Sequence, residues 1–132
     1  ENIMKSNVPP KEMSQTESSL TKQNNTGKND MKMYVLVRKD LTNIQQAVQA
    51  GHAIAEFLLK FPYKHLYSWD NGILVYLGVK DVNELGWWDH KLHKKSIAHA
   101  SFREPDLNNE MTALATVTRS EDLFKKLQIL EL

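Results

Sequence analysis

The chain has 132 residues and is 41% hydrophobic, enough for one domain with an apolar core but not for two. It has no cysteine, which excludes disulfides and thiolate chemistry and suits a cytoplasmic protein, and no apolar run approaches the roughly 18 residues of a membrane span. Lys and Arg number 17 against 16 Asp and Glu, so any contact with nucleic acid must come from a local patch.

The N-terminal segment, residues 1–30, is rich in Ser, Thr, Asn, Gln and Lys and shows neither helical nor strand periodicity. Such a segment buries too little apolar surface to offset the entropy lost on ordering. We therefore expect a flexible tail over residues 1–30, acting as a linker or as a partner-binding or targeting segment. The folded domain is expected over residues 31–132.

The first predicted unit is a strand followed by a long helix. Met33–Val37 is a nearly continuous β-prone run, and Leu41–Lys60 is predicted to be a helix that ends before Pro62. Thr42 and Gln45 have the spacing of a capping box, which predicts the helix start. The apolar residues at helical spacing predict a buried stripe formed by Ile44, Ala47, Val48, Gly51, Ile54, Ala55 and Leu58.

The rest of the chain predicts a second unit of the same kind, two more strands and a final helix. Asp81 with Glu84 marks the start of the second helix, which should run to about Lys95. The remaining predicted elements are a strand at Gly72–Leu77, strands at Ile97–Phe102 and Met111–Val117, and a helix at Ser120–Leu127. Two right-handed crossovers feeding four strands predict a three-layer α/β/α sandwich with a four-stranded sheet.

The polar face of the long helix carries the first candidate chemistry. Gln49 and His52 are three residues apart and therefore neighbours on the helix, and Glu56 is the next position that could orient the imidazole. Imidazole takes up a proton readily near neutral pH, so His52 is a candidate general base for a water that attacks an ester. The alternative is a histidine that is only packed or hydrogen-bonded at the helix edge.

Charged residues lie where the first strand gives way to this helix. Arg38, Lys39 and Asp40 occupy an edge at which α/β sheets tend to bind ligands, and the helix N-terminus adds positive potential. Phosphate groups would suit this edge, since Arg can bind them bidentately and Lys as a point charge. The alternative is that Arg38 or Lys39 pairs with Asp40 or with a later carboxylate.

The loop from Arg103 to Thr112 supplies carboxylates and amides. Glu104 and Asp106 are rival candidates for an acidic group that assists an imidazole or water, and Thr112 could hydrogen-bond the substrate. Pro105 stiffens the turn, and the pair Asn108-Asn109 tolerates unusual backbone angles. The alternative is a solvated connection between two strands.

These residues together resemble the peptidyl-tRNA hydrolases of archaeal and eukaryotic type. The resemblance covers roughly residues 31 to 132, and it is carried by Arg38, Asp40, Leu41, Ala47, Gln49, His52, Ala53, Phe102-Arg103-Glu104 and Thr112-Ala113-Leu114-Ala115. It implies a mixed sheet, no cofactor and cleavage of the ester between a peptide and tRNA. The implied catalytic residues are His52, Gln49, Glu104, Asp106 and Thr112, and the substrate-binding residues are Arg38, Lys39, Asp40 and Asn43.

The chain departs from the family pattern in two places. The family usually carries a Gly- and Lys-containing loop before the helix, whereas the connection here is the shorter Leu41–Gln45 without lysine. Glu104 stands where the family usually has Asp. These departures leave two alternatives open: a noncatalytic RNA- or protein-binding module, and a hydrolase or binder of another small acylated or nucleotide substrate. The expected partner is tRNA or peptidyl-tRNA, no membrane or metal is expected, and the resemblance allows a homodimer.

Overall fold

The computed structural model of the chain describes residues 3–5, 31–61, 63–119 and 121–131. The tail predicted over residues 1–30 lies outside these ranges except at Ile3–Lys5, a short strand that we call β1. This strand pairs antiparallel with Ile73, Leu74 and Val75.

The described ranges contain six strands and three α-helices. The further strands are β2 (Lys32–Arg38), β3 (Ile73–Val79), β4 (His99–Glu104), β5 (Glu110–Thr118) and β6 (Gln128–Ile129). The α-helices of the described ranges are α1 (Asn43–Lys60), α2 (Tyr63–Trp69) and α3 (Val82–Lys94). Two 3-10 turns lie at Pro105–Leu107 and Glu121–Phe124. The predicted strands and the two longer helices are found to within about two residues at each end, the usual uncertainty of element boundaries.

All of these strands belong to one mixed sheet. The order is β1, β3, β2, β5, β4, and β6 also pairs with β3. The pairing of β2 with β3 is parallel, and the other pairings are antiparallel. Within the described ranges, β4 pairs on one edge only, so it forms one margin of the sheet.

The predicted four-stranded, three-layer sandwich is wrong. The sheet has a run of five strands, with β6 beside it, and the described chain contains three α-helices. The two strands that the sequence did not reveal are three and two residues long, too short to show an alternating pattern. The prediction of a helix over Ser120–Leu127 is also wrong. From residue 121 onward the chain forms a single 3-10 turn and then joins the sheet as β6.

Helix α1 begins where the sequence predicts. Thr42 is the N-cap, its hydroxyl accepts a hydrogen bond from the backbone N–H of Gln45, and the Gln45 side chain accepts one from the Thr42 N–H. This reciprocal pair confirms the capping box. It satisfies two of the backbone N–H groups that a helix start leaves without partners.

The face of α1 that packs on the sheet is not the predicted one. The buried residues of the helix are Gln46, Gln49, Ala50, Ala53 and Phe57, which contact β2, β4 and β5. Small alanines let the helix approach the sheet closely, and Phe57 fills the space at the far end. Two buried glutamines therefore face inward, while most of the apolar stripe predicted to be buried faces outward.

Both buried glutamines donate hydrogen bonds from their amide nitrogens, which offsets part of the cost of this orientation. The Gln46 amide donates to the Leu41 carbonyl at 2.8 Å, inside the turn that precedes the helix. Gln49 bonds to side chains of the loop described below. Burial of a polar side chain is costly unless such bonds are made.

Helix α3 packs on the opposite face of the sheet from α1. Leu85, Trp88 and Leu92 join the core formed by Tyr34 and Leu36 of β2 and by buried residues of β3 and β5. Trp88 is buried and Trp87 is exposed. The ammonium group of Lys91 lies 4.9 Å from the centre of the Trp87 ring, a cation–π arrangement that covers part of this indole. None of the helices in the described ranges combines the length and hydropathy of a membrane span.

Candidate functional site

Three strand ends meet at one edge of the sheet. β2 and β4 both run antiparallel to β5, so their last residues lie beside its first residues. In this row Val37 and Phe102 are both paired with Ala113 of β5, which lies between β2 and β4. The topology therefore brings Arg38, Glu104 and Thr112, which are far apart in sequence, to the same edge.

An irregularity in the sheet sets the direction of Thr112. Phe102 pairs with Ala113 and the next residue, Arg103, pairs with Met111, so Thr112 is an extra residue in its strand. Bulges of this kind re-aim a side chain. Thr112 is fully buried, and its hydroxyl donates to Gln49 Oε1 on α1 at 2.5 Å.

The amide of Gln49 bridges Thr112 and Glu104. Its oxygen accepts from the Thr112 hydroxyl, and its nitrogen donates to Glu104 Oε1 at 2.7 Å. The hydroxyl proton and the carboxylate together fix which way the amide points, because only an oxygen can accept and only the nitrogen can donate. The structure thus joins three of the predicted catalytic residues in one hydrogen-bonded chain.

Glu104 is held as a carboxylate. Hydrogen bonding from Gln49 is the largest cause that lowers the pKa of Glu104 below its ordinary value, and the backbone N–H of Asp106 and the nearby His52 act in the same direction. Asp106 contributes its N–H, which lies 3.2 Å from Glu104 Oε2, rather than its carboxylate. The turn closes through Asn108 and Asn109, both with positive φ, which confirms the backbone role expected of this pair.

His52 lies beside this chain of hydrogen bonds, one turn along α1 from Gln49. Its ring stacks on Phe102, with ring centres 4.4 Å apart and planes inclined by 8°. The residue as a whole is exposed. Stacking orients the plane of the imidazole, and the exposed position of the residue is suitable for a base that must reach a substrate. Phe102 was quoted from the sequence only as part of a motif, and nothing there indicated the stacking.

Arg38 lies on the other side of the site and is already paired. Its guanidinium is buried, binds Asp40 bidentately at 2.9 and 3.0 Å, and donates to Glu110 at 2.8 Å and to the Met111 carbonyl at 3.1 Å. Hydrogen bonding from Arg38 lowers the pKa of Asp40. The structure therefore has the internal pairing that the sequence left as the alternative. Glu110, which the sequence did not single out, is the second carboxylate.

The other predicted substrate-binding residues lie at the rim. Lys39 is exposed, and its aliphatic stem packs against Gly78, where a Cβ would lie 2.6 Å from its Cδ. Asn43 is exposed at the first position of α1. The structure thus groups Gln49, His52, Glu104 and Thr112 together, and places Lys39 and Asn43 around the start of the helix.

A second polar cluster, which the sequence did not predict, lies on the opposite face of β4. Asp89 Oδ1 accepts from the Ser101 hydroxyl at 2.5 Å and lies 3.0 Å from His99 Nε2, while His99 Nδ1 lies 2.8 Å from the Ile97 carbonyl. These contacts tie α3 to the edge strand. Across the described ranges, no group of three His, Asp or Glu side chains is placed to hold a metal ion.

An open depression of about 520 Å³ runs along the free edge of β4. It is bordered by Glu56 and Lys60 of α1, by Asp89 of α3, and by residues 99–103 of the strand. Glu56 and Lys60 form an ion pair at 3.3 Å. Because Phe102 lines this depression and also stacks on His52, the depression adjoins the candidate site.

The lowered pKa of Glu104 predicts how its contribution to stability depends on pH. A carboxylate whose pKa is lower in the folded than in the unfolded chain stabilises the fold above its ordinary pKa of 4.5, and loses that contribution as the pH falls through the folded value. We expect Glu104→Gln to lower the thermal midpoint at neutral pH, and this deficit to shrink below about pH 4.5. Thermal unfolding across this range measures it, with Glu131→Gln, at an exposed position, as the control. If Glu104→Gln lowers the thermal midpoint by the same amount at every pH, the ionised state assigned to Glu104 is contradicted.

Comparisons with known proteins bear on the fold alone. No protein-family model matches the chain, and no curated protein matches it. Among solved structures, a protein of unknown function from Agrobacterium tumefaciens, Atu0240, is similar with a TM-score of 0.56 at 12% sequence identity. The match covers 77% of this chain and 98% of that one. The chain therefore shares its fold with an uncharacterised protein.

Proposed function

We propose that the protein is a peptidyl-tRNA hydrolase-like enzyme of the cytoplasm that cleaves the ester between a peptide and the terminal ribose of tRNA. The observation that carries the proposal is the bridge from Thr112 through the Gln49 amide to Glu104, set beside an accessible His52. Buried polar chains of this kind are costly unless every group is paired. Here the pairing holds a carboxylate next to an imidazole.

The proposed reaction uses His52 as the general base. The imidazole takes a proton from a water molecule, the water oxygen bonds to the ester carbonyl carbon, and the bond from that carbon to the ribose oxygen then breaks. The proton passes from the imidazolium to the leaving ribose oxygen. Glu104 stabilises the imidazolium electrostatically, because its own carboxylate is held ionised.

Thr112 and Gln49 act as positioning residues in this proposal. The hydroxyl proton of Thr112 is donated to Gln49, so this hydroxyl is not the donor that stabilises the tetrahedral oxyanion. Backbone N–H groups that the substrate meets on binding would take that role. The depression beside Phe102 would receive the peptide portion of the substrate.

The proposed contact with tRNA phosphate is at Lys39 rather than Arg38. The Arg38 guanidinium is buried and paired with Asp40 and Glu110, whereas Lys39 is exposed at the start of α1. The helix N-terminus adds positive potential at the same place. A Lys side chain binds phosphate as a point charge.

Hydrolysis of a model peptidyl-tRNA tests the proposal directly. The expected result is release of free peptide and intact tRNA by the unmodified chain, with free tRNA as the control for binding. Binding of tRNA without release would instead support a noncatalytic module. That alternative is favoured by the absence of the family's lysine before α1, and by the His52 imidazole making no hydrogen bond to any described residue. If the chain neither releases peptide nor binds tRNA, both the proposed enzyme and the noncatalytic module are rejected.

The charge at Lys39 gives a separate expectation for tRNA binding. Affinity should fall as salt rises, and Lys39→Gln should reduce the slope of log affinity against log salt by roughly one phosphate contact. Lys95→Gln is the matched control, because Lys95 is also exposed but lies at the C-terminus of α3. Titrations at several salt concentrations measure both slopes. Equal slopes for the two variants would remove Lys39 from the interface.

A further inference from the structure

Two successive residues of β5 point toward the same helix. In a regular strand, residues two apart face the same side of the sheet. Met111 instead belongs to the core on the α3 side, and Ala113 belongs to the core on the α1 side. Thr112, which lies between them, also reaches α1, where its hydroxyl bonds to Gln49. The backbone before Thr112 therefore departs from regular pairing and needs another contact to hold it.

The side chain of Arg38 makes that contact. The backbone pairing of β2 with β5 ends at Val37 and Ala113, and beyond it Arg38 reaches β5 with its guanidinium. Nη1 of Arg38 donates to the Met111 carbonyl at 3.1 Å. Because the peptide unit is planar, holding this oxygen also restrains the backbone nitrogen of Thr112. Arg38 is only 7% exposed, so little water competes for the same carbonyl.

Two carboxylates hold the guanidinium in this position. Asp40 accepts from Nε and Nη2 at 3.0 and 2.9 Å, and Glu110 accepts from Nη1 at 2.8 Å. Asp40 lies in the turn before α1, and Glu110 is the first residue of β5. The guanidinium therefore links the start of the helix that carries Gln49 to the start of the strand that carries Thr112. A lysine ammonium could not make all of these contacts, because its donors share one nitrogen instead of forming a planar fork.

We propose that Arg38 is a positioning residue that fixes the bulge at Thr112, and with it the hydrogen-bonded chain from Thr112 through Gln49 to Glu104. Its effect on turnover rests on the proposed function, whereas the positioning itself can be measured without substrate. Without the guanidinium, the Met111 carbonyl loses its donor and the bulge loses its link to the start of α1. Gln49 would then hold the Glu104 carboxylate less firmly.

Titration of the Glu104 carboxylate by NMR tests the positioning role directly. Hydrogen bonding from Gln49 is the largest cause that lowers the pKa of Glu104, so a loosened chain should raise this pKa toward its ordinary value of 4.5. We expect Arg38→Met to raise it. Arg38→Lys should raise it as well, because lysine keeps the charge but not the fork. An effect of charge alone would leave the pKa of Glu104 unchanged in Arg38→Lys.

Two further variants separate positioning from a general loss of stability. Leu92→Ala removes a fully buried side chain on the α3 side of the sheet, so it should lower the thermal midpoint and leave the pKa of Glu104 unchanged. Glu110→Gln weakens the hold on Arg38 at a position whose side chain is 46% exposed, so the fold should be retained. In this variant the pKa of Glu104 should rise by less than in Arg38→Met.

Turnover of a model peptidyl-tRNA measures the consequence for the proposed reaction. Arg38→Lys should lower kcat on the order of tenfold to a hundredfold, the effect of a small misplacement of reacting groups. KM should change much less, because positioning acts after the substrate has bound. Leu92→Ala, assayed well below its thermal midpoint, should keep the kcat of the unmodified chain.

The outcomes distinguish this role from the proposed function. If Arg38→Lys and Glu110→Gln both leave the pKa of Glu104 unchanged, the positioning role is overturned, and an equal rise in Leu92→Ala would overturn it too. A raised KM with unchanged kcat in Arg38→Lys would make Arg38 a substrate-binding residue instead. If the unmodified chain releases no peptide while the pKa of Glu104 rises in Arg38→Lys, the proposed function fails and the positioning role stands.

Discussion

His52→Ala should reduce turnover of a model peptidyl-tRNA by about 10²–10⁴, the usual contribution of a general base. The affinity for tRNA should change little, because the imidazole stacks on Phe102 and is assigned to the reaction rather than to the RNA backbone. Single-turnover rates and direct binding measured on the same preparation separate the two effects.

The matched control is His90→Ala, which removes an exposed histidine from α3, on the other face of the sheet. We expect its rate and affinity to equal those of the unmodified chain. If His52→Ala lost binding and turnover in equal measure, the imidazole would have a structural role. If both histidine variants kept full turnover, the base would have to be sought elsewhere.

Phe57→Ala should lower the free energy of unfolding by about 3–5 kcal/mol, because Phe57 is fully buried between α1 and the sheet and a large cavity would remain. Leu58→Ala, at the next position, should cost only about 0.5 kcal/mol, because Leu58 is 44% exposed. Denaturant unfolding of both variants measures the difference.

This pair of variants tests the orientation of the helix. The hydrophobic pattern alone puts Leu58 in the core, whereas the structure puts Phe57 there. A larger cost for Leu58→Ala than for Phe57→Ala would therefore reverse the face that packs on the sheet. It would also remove Gln49 from the neighbourhood of Glu104 and Thr112, and the proposed site with it.

The inward face of α1 links stability to the candidate chemistry. Alanines and Phe57 provide the packing, while Gln49 uses the same face to reach Thr112 and Glu104. A helix with only apolar residues on this face would pack more simply but would leave the Glu104 carboxylate without its side-chain donor, Gln49. Polar residues at core positions are more often found at functional sites than elsewhere.

The sequence by itself determined the four longer strands, the two longer helices and much of the candidate residue set. Local rules sufficed for the Thr42 cap, for the turn at Asn108-Asn109 and for the main strands, because each depends on residues a few positions apart. Gln49, His52, Glu104 and Thr112 were all predicted from sequence, and the structure brings them together. Their catalytic roles stay predictions.

Only the tertiary structure decided the number of strands, the packed face of α1 and the pairing of Arg38. The strands β1 and β6 are too short to show a pattern, and they exist because β3 offers them an edge. Periodicity identifies an apolar face but not what covers it, so the face of α1 that carries Ile44, Val48 and Leu58 was predicted to be a core face, although these residues are exposed. Arg38 meets Glu110 across 72 residues of sequence, and a bulge at Thr112 turns its hydroxyl toward α1. Contacts between residues so far apart in the sequence depend on strand order and register, which local residue patterns do not encode.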